Sequence, residues 1–384
     1  MKEFSLNHIG VKDPRARESV IERMLSAPEE VYIGALEAGI RSHDDRELRD
    51  ASMHAYRKLG RKSLDSLLGL LADRMDWEAR MFAATILGDI EDGGDGRVLQ
   101  GLIDAIKDPE ENVRIAAIEA IGKIGHTGAL AALSEAVGDA QWVSIAALDA
   151  MARIGGPDAF EMLCSNLESH ANPGVIINVL AKINDLRAVR VLSPFLSRDD
   201  GAMRELALKS IVKICLQTGH RFSPEFFYPE VPFLAELSGS VRKETARCAL
   251  IALSWSGDSR GVEIFLNTLG DEELREYAVS GLITVGRKGV PAIVDFMKAK
   301  TGENRRLCAV ILSAIGEYEA LAQFTSDKEP GVRAEAADAL KYVDSRRAGK
   351  LLAELARDPD EEVRSAALES IQAREKTEAG LFRD

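Results

Sequence analysis

Along most of the chain, apolar and small residues recur at spacings of three, six, seven and ten from a fixed point, the pattern that paints one face of an α-helix. The clearest segment is DPEENVRIAAIEAIGKIG, from Asp108 to Gly125, where Ala117, Ala120, Ile121 and Ile124 share a stripe. It returns as KEPGVRAEAADALKYVD from Lys328, with Ala336, Ala339, Leu340 and Val343 in the same register, and as DPDEEVRSAALESIQ from Asp358. Weaker copies read LRDASMHAYRKLG, EARMFAATILGDI, WVSIAALDAMARIG, MRELALKSIVKIC, LREYAVSGLITVG and RRLCAVILSAIG.

With the arginine of the Val-Arg dipeptide as a marker, copies fall at Arg49, Arg80, Arg114, Arg204, Arg275, Arg305, Arg333 and Arg364, with degenerate ones near Ser144, Pro173 and Lys243. Successive markers lie roughly 30 residues apart, the length of two short helices and two turns. A second amphipathic segment precedes each marker, as in VLQGLIDAIKD, ALAALSEAVGD, AVRVLSPFLSRD, GVEIFLNTLGD and GKLLAELARD. Each unit therefore predicts a helix A, a short acidic turn and a helix B. The turn acids cap helix B and meet the positive end of its dipole, and Gly60, Gly125, Gly155, Gly286 or Gly316 ends it. One hairpin cannot bury its apolar stripe alone, so the units must stack. The expected fold is all-α, a right-handed α-α superhelix of about eleven hairpins.

The consensus DPxxxVRxxAxxALxxIG resembles the HEAT repeat, in the short form also found in phycobilisome-lyase-like proteins, from near residue 28 to residue 372. The resemblance implies an α-solenoid. It is unspecific for function, because that family supplies scaffolds, adaptors and transport factors together with a few enzymes. Two enzyme readings follow from it: a bilin lyase or chaperone, and a nucleic-acid enzyme like the HEAT-like alkylpurine DNA glycosylases, which use a strongly basic groove. HEAT-repeat hydroxylases carry paired His-Glu dipeptides as iron ligands, and here none of His8, His43, His54, His126, His170 and His220 is followed by Glu.

Composition narrows these choices. The formal net charge of −13 disfavours a phosphate-neutralising surface. The histidines show no HxxxH spacing for a metal, so no cofactor is expected. Cys164, Cys215, Cys248 and Cys308 lie far apart without a CxxC pair, and charges interrupt every apolar run, which reads as a cytoplasmic chain without a membrane span. The sequence predicts a capping segment at 1–27, repeats at 28–215, an irregular insertion at 216–240, repeats at 241–372 and a polar tail at 373–384.

Three groups of residues are candidates for binding. Nine positions after the marker, the first six units carry Lys58, Asp89, Lys123, Arg153, Lys182 and Lys213, which suggests a cationic stripe for an acidic partner segment. The plainer reading is relief of the helix dipole and i,i+4 pairing, as for Asp149 with Arg153. Trp77 and Trp142 precede their markers by two or three residues and should crown the edge formed by the A–B turns. The insertion concentrates Phe222, Phe226, Phe227, Tyr228 and Phe233 among Pro224, Pro229 and Pro232, either as a partner-binding element or as a plug between units. The marker arginines themselves predict a structural ladder to the acids of their own or the next turn. The expected function is a non-catalytic scaffold or adaptor that docks a protein, with signalling complexes as one setting.

Overall fold

The structure, a computed structural model, describes residues 14–90, 95–168, 170–220, 224–227, 229–299, 303–343 and 346–381. Every regular element among them is helical. The chain forms two compact units, dividing between Val191 and Leu192.

Unit 1 opens with α1 (Pro14–Leu25), whose Ile21 and Met24 are buried. Five A–B hairpins follow: α2 (Ile33–Ile40) with α3 (Arg46–Leu59), α4 (Leu64–Leu71) with α5 (Trp77–Asp89), α6 (Gly96–Ala105) with α7 (Glu111–Ile124), α8 (Leu130–Ala136) with α9 (Gln141–Ile154), and α10 (Gly156–Asn166) with α11 (Pro173–Leu180). After α12 (Arg187–Leu192), unit 2 contains α13 (Gly201–Thr218). Its hairpins are then α14 (Val231–Ser238) with α15 (Lys243–Ser256), α16 (Val262–Thr268) with α17 (Arg275–Val285), α18 (Val290–Ala299) with α19 (Glu303–Ile315), α20 (Tyr318–Ala322) with α21 (Pro330–Leu340), and α22 (Arg346–Leu355) with α23 (Glu361–Leu381).

Local chemistry explains these boundaries. The carboxylates of Asp45 and Asp76 accept hydrogen bonds from the backbone N–H of Leu48 and Ala79, each at 3.0 Å, and so cap α3 and α5. In the Asp-Pro copies the acid acts differently: Asp108 and Asp358 fold the turn by accepting from the N–H of Glu110 and Asp360, both at 2.9 Å. The five glycines expected to end B helices all have positive φ, Gly125 at 74° for example. Eleven residues after Pro173 the same left-handed position is held by Asn184, at φ 56°.

Helices B of unit 1 pack on one another as α5, α7 and α9. A Cβ on Gly88 would lie 2.6 Å from the Cα of Ala120, and one on Gly122 would lie 3.0 Å from the Cα of Ala150. Backbones this close leave room only for Gly and Ala at the contact, which is why the chain is rich in small residues and poor in rings. In unit 2 the sequence α15, α17, α19, α21, α23 packs in the same successive manner.

Two stretches differ from expectation. Among the described residues of 216–240, α13 ends at Thr218, a 3-10 turn forms at Pro224–Phe227, and α14 takes Pro232 in its first turn, where the missing N–H has no partner to lose. Phe227 is fully buried, edge-on to Phe226 at 4.8 Å between centroids and 6.1 Å from Trp255. Phe233 is also buried, with the Arg204 guanidinium 3.7 Å above its ring. Tyr228 and Phe222 lie outside the described residues. At the other end, α23 continues through the expected tail to Leu381, because AREKTEA consists of good helix formers with no breaker.

Candidate functional site

The marker arginines build the ladder. Arg80, with both partners nearly buried, donates to both carboxylate oxygens of Asp108 on the next turn at 2.7 and 2.9 Å, and to the carbonyl of Asp73 on its own turn at 2.7 Å. Arg114 repeats this with the Asp108 carbonyl (2.9 Å) and Asp139. In unit 2, Arg204 joins Leu196 to Glu230, Arg305 reaches Asp327, and Arg333 joins the Asp327 carbonyl to Asp358. The Arg333 hydrogen bonds hold the Asp358 carboxyl below its ordinary range.

The degenerate copies behave differently from one another. Gly257, at φ 57°, ends α15 eleven residues after Ala246, so Ala246 and not Lys243 occupies the marker register of that unit. Lys243, one turn earlier, restores the rung by pairing with Asp271 on the next turn. At Ser144 no cation is restored. Its Oγ lies 2.8 Å from the Val137 carbonyl, the acceptor that an arginine takes elsewhere, and 3.0 Å from Nε2 of His170, which stands where the next turn supplies an acid in other units.

The Ser144–His170 pair has the look of a nucleophile and its base, and hydrogen-bond accounting decides against that. With a proton on Nε2, His170 donates to Ser144, Ser144 donates to the Val137 carbonyl, and Nδ1 meets the N–H and the carbonyl of Asn172, each at 3.0 Å. All three bonds form and no buried backbone group is orphaned. With the proton on Nδ1, Ser144 must release Val137 to donate to the ring. Ser144 is 5% exposed and its hydroxyl is committed to the Val137 carbonyl, so the pair is a rung of the ladder.

Beside this rung lies an open slot of about 500 Å³, lined by Val137, Asp139, Gln141, Ile145, Asn166 and Val175 among others. Trp142, the second residue of α9, is 66% exposed at the same A–B turn. Trp77 opens α5 two units earlier and is 37% exposed, beside Met75 at 93%. Both indoles thus stand at N-termini of B helices, as their spacing from the marker predicts.

The cations nine residues after the marker are interleaved with acids. Lys58 pairs with Glu18 at 3.1 Å; Asp89 takes Arg57 at 2.8 Å and Lys123 at 2.6 Å; Asp149 takes Arg153 at 2.9 Å and Lys182 at 2.7 Å. Lys213, on α13 of unit 2, is exposed. Burial raises the Asp89 and Asp149 carboxyls, but the hydrogen bonds and charges of these cations outweigh it and leave both below the ordinary range. The face of unit 1 is therefore a set of cross-helix ion pairs. The pairing of Asp149 with Arg153 follows the sequence spacing, whereas the bonds of Lys58 to Glu18, Lys123 to Asp89 and Lys182 to Asp149 join residues from different hairpins or the N-terminal helix.

Among the described residues, no group of three or more His, Cys, Asp or Glu side chains is arranged to hold a metal ion, and no helix is long and apolar enough to cross a membrane. Cys215 and Cys308 are buried, which pushes their thiols up to about 11 and about 12.

This ladder of capped hairpins defines an α-solenoid. The family model for HEAT repeats matches residues 64–143, 99–177 and 318–380, and these stretches are HEAT repeats. No curated protein sequence matches the chain. Among solved structures, importin beta is similar at TM-score 0.51 and 15% identity over 95% of this chain and 63% of its own. Kap95p, in a structure with RanGDP, is similar at 0.50 and 11% identity over 95% of this chain and 59% of its own. The chain thus spans less than two thirds of either protein. The CpcE and CpcF complex of phycocyanin lyase from Nostoc is a looser match, at TM-score 0.34 and 18% identity over 62% of this chain and 94% of its own.

Proposed function

We propose that the chain is a non-catalytic scaffold that docks a protein partner on the A–B turn edge of unit 1. The observation that carries this reading is Trp142, 66% exposed at the start of a helix that buries Val143, Ala147, Leu148 and Met151 on its packed side. An indole at a rigid helix start has only two side-chain torsions to order on binding and offers a large apolar surface to a partner. Arginine rungs on the two preceding turns keep the edge stiff, so its shape is preformed. The HEAT-repeat character of the stretch supports a binding role at the level of fold.

The test is affinity capture from the native host, identification of the partner, and measurement of its purified complex with the wild type and with Trp142→Ala. Loss of about 2 kcal/mol, roughly thirtyfold in Kd, is the expected hot-spot effect. Unchanged affinity in Trp142→Ala would move the docking site elsewhere. Lys58, Lys123, Arg153, Lys182 and Lys213 remain the second surface to probe: charge reversal there that abolishes binding of an acidic segment would favour the B-helix face over the turn edge.

A further inference from the structure

We infer that His43 is a proton-operated latch that ties the first A–B turn to the second and sets how Trp77 is presented at the edge of unit 1. The latch is a property of the free chain and needs no docked partner. Its first support is geometry. Nδ1 of His43 lies 2.9 Å from Oε2 of Glu78, and Nε2 lies 3.3 Å from Oδ2 of Asp76. Both acids stand at the start of α5, in the next hairpin, and flank Trp77 in the sequence. Carboxylates only accept, and a neutral imidazole has one N–H to give. A neutral ring that serves Glu78 therefore turns its Nε2 lone pair toward a second negative oxygen, and the imidazolium alone satisfies both contacts. Asp76 is held in place, because its other oxygen caps α5 by accepting from the Ala79 N–H at 3.0 Å.

The second support is the way this rung departs from the ladder. Arg80, Arg114 and Arg333 each join a carbonyl of their own turn to the acid of the next. Arg49 keeps the first half, donating to the Ser42 and His43 carbonyls at 3.3 Å, but its guanidinium stands 5.0 Å from the centroid of the Phe82 ring. Asp73, the acid of the next turn, is taken by Arg41 at 2.7 Å. The first two turns are thus tied by Arg41 and His43, and of these only the imidazole changes charge near neutral pH. Glu78 and Asp76 favour the imidazolium and Arg49 opposes it; the Glu78 hydrogen bond prevails and raises the His43 pKa. Arg41 and Asp73 neutralise each other, and Asp45 on the same turn as His43 is committed to the Leu48 N–H. His54, His126 and His170 lack this arrangement: His54 meets a single carboxylate, Glu18, which Lys58 shares, and the other two bond backbone or hydroxyl groups.

Because the folded pKa is raised, the contribution of the latch to stability is full below the unfolded value of about 6.5 and is lost as pH rises through the folded one. The test is an NMR pH titration of the full chain that follows the imidazole C–H resonances and the Trp77 indole Nε1–H in the wild type, Glu78→Gln and His43→Gln. The His43 and Glu78 side chains are 47% and 32% exposed, so both variants keep the packed core. His43 is expected to titrate above the ordinary value of about 6.5 and to fall toward it in Glu78→Gln. The Trp77 resonance should step at the same midpoint, move with it in Glu78→Gln and lose the step in His43→Gln. The thermal midpoint of the wild type should exceed that of His43→Gln by more below the His43 midpoint than above it. An ordinary His43 midpoint, a midpoint unmoved by Glu78→Gln, or a Trp77 step that is missing or survives in His43→Gln overturns the inference. Trp142, on α9 two hairpins away, tests the docking role separately, so either result stands without the other.

Discussion

The two units turn different faces to solvent from the same helices. In unit 1 the outer sides of the B helices are stitched by ions: Arg57 on α3 and Lys123 on α7 converge on Asp89 of α5, and Lys182 beyond α11 reaches Asp149 of α9. In unit 2 the corresponding positions include Ile283 on α17 and Val310 on α19, which are 38% and 51% exposed, and Tyr342 just beyond α21. Both faces rest on the same ladder of buried and half-buried arginines. The contrast separates two demands on a repeat: the ladder and the packed stripe make the fold, and the outward positions are free to differ.

The largest expected effect concerns what the units share. Arg80→Ala in unit 1 and Arg333→Ala in unit 2 each strand a carboxylate that is less than a tenth exposed, which should cost about 3 to 5 kcal/mol in urea unfolding. A loss in one unit and none in the other would mean that the ladder is not a common support. Next in size is helix approach. Gly88→Ala pushes a methyl against the Ala120 backbone, which cannot move aside, and should cost about 1 to 3 kcal/mol. Gly281→Ala in unit 2 meets the Phe265 ring at 2.4 Å instead, and a cost smaller than that of Gly88→Ala is expected because a ring can shift where a backbone cannot.

The ion-paired face should give smaller changes. Asp89→Asn or Asp149→Asn orphans two partly exposed cations each, worth about 0.5 to 1 kcal/mol at low salt and fading in high salt. Both carboxyls are depressed in the folded state, so their contribution is present above the unfolded pKa and is lost as pH falls through the folded one. The difference between wild type and Asp89→Asn should therefore hold steady near neutrality and shrink below about pH 4. Smallest of all, Ile283→Lys and Val310→Lys in unit 2 should change stability by under about 0.5 kcal/mol while lowering the binding of a hydrophobic dye. A larger stability loss would show that these side chains are packed and not offered to solvent.

The repeat was legible because its causes are local. The stripe at three, six, seven and ten, the acids before helix B and the glycines after it each act within a few residues, and Asp76, Gly125 and their counterparts do in the structure what their type and spacing imply. The arginine ladder was legible for the same reason, since the marker and the acid of the next turn repeat together. The Ser144–His170 rung was hidden although its spacing is regular: His170 follows Ser144 by 26 residues, as Glu230 follows Arg204, but both partners have changed chemical type. Near Lys243 the degenerate copy takes its register from the terminal Gly257, which sets Ala246 at the marker position.

The sequence by itself determined the class of fold, the order of hairpins and their caps, because hydrophobic period and capping chemistry are properties of neighbours in the chain. Only the tertiary structure decided the charge of the surfaces. Five basic residues in a column allow either a cationic stripe or dipole relief with local ion pairing, and four of them meet Glu18, Asp89 or Asp149, three of these pairings crossing between helices. Likewise, only packing put Phe227 in the core and left Trp142 in water. Side chains brought together from hairpins some thirty residues apart obey Coulomb attraction and close packing in space, and one-dimensional spacing does not record which of them arrive at the same place.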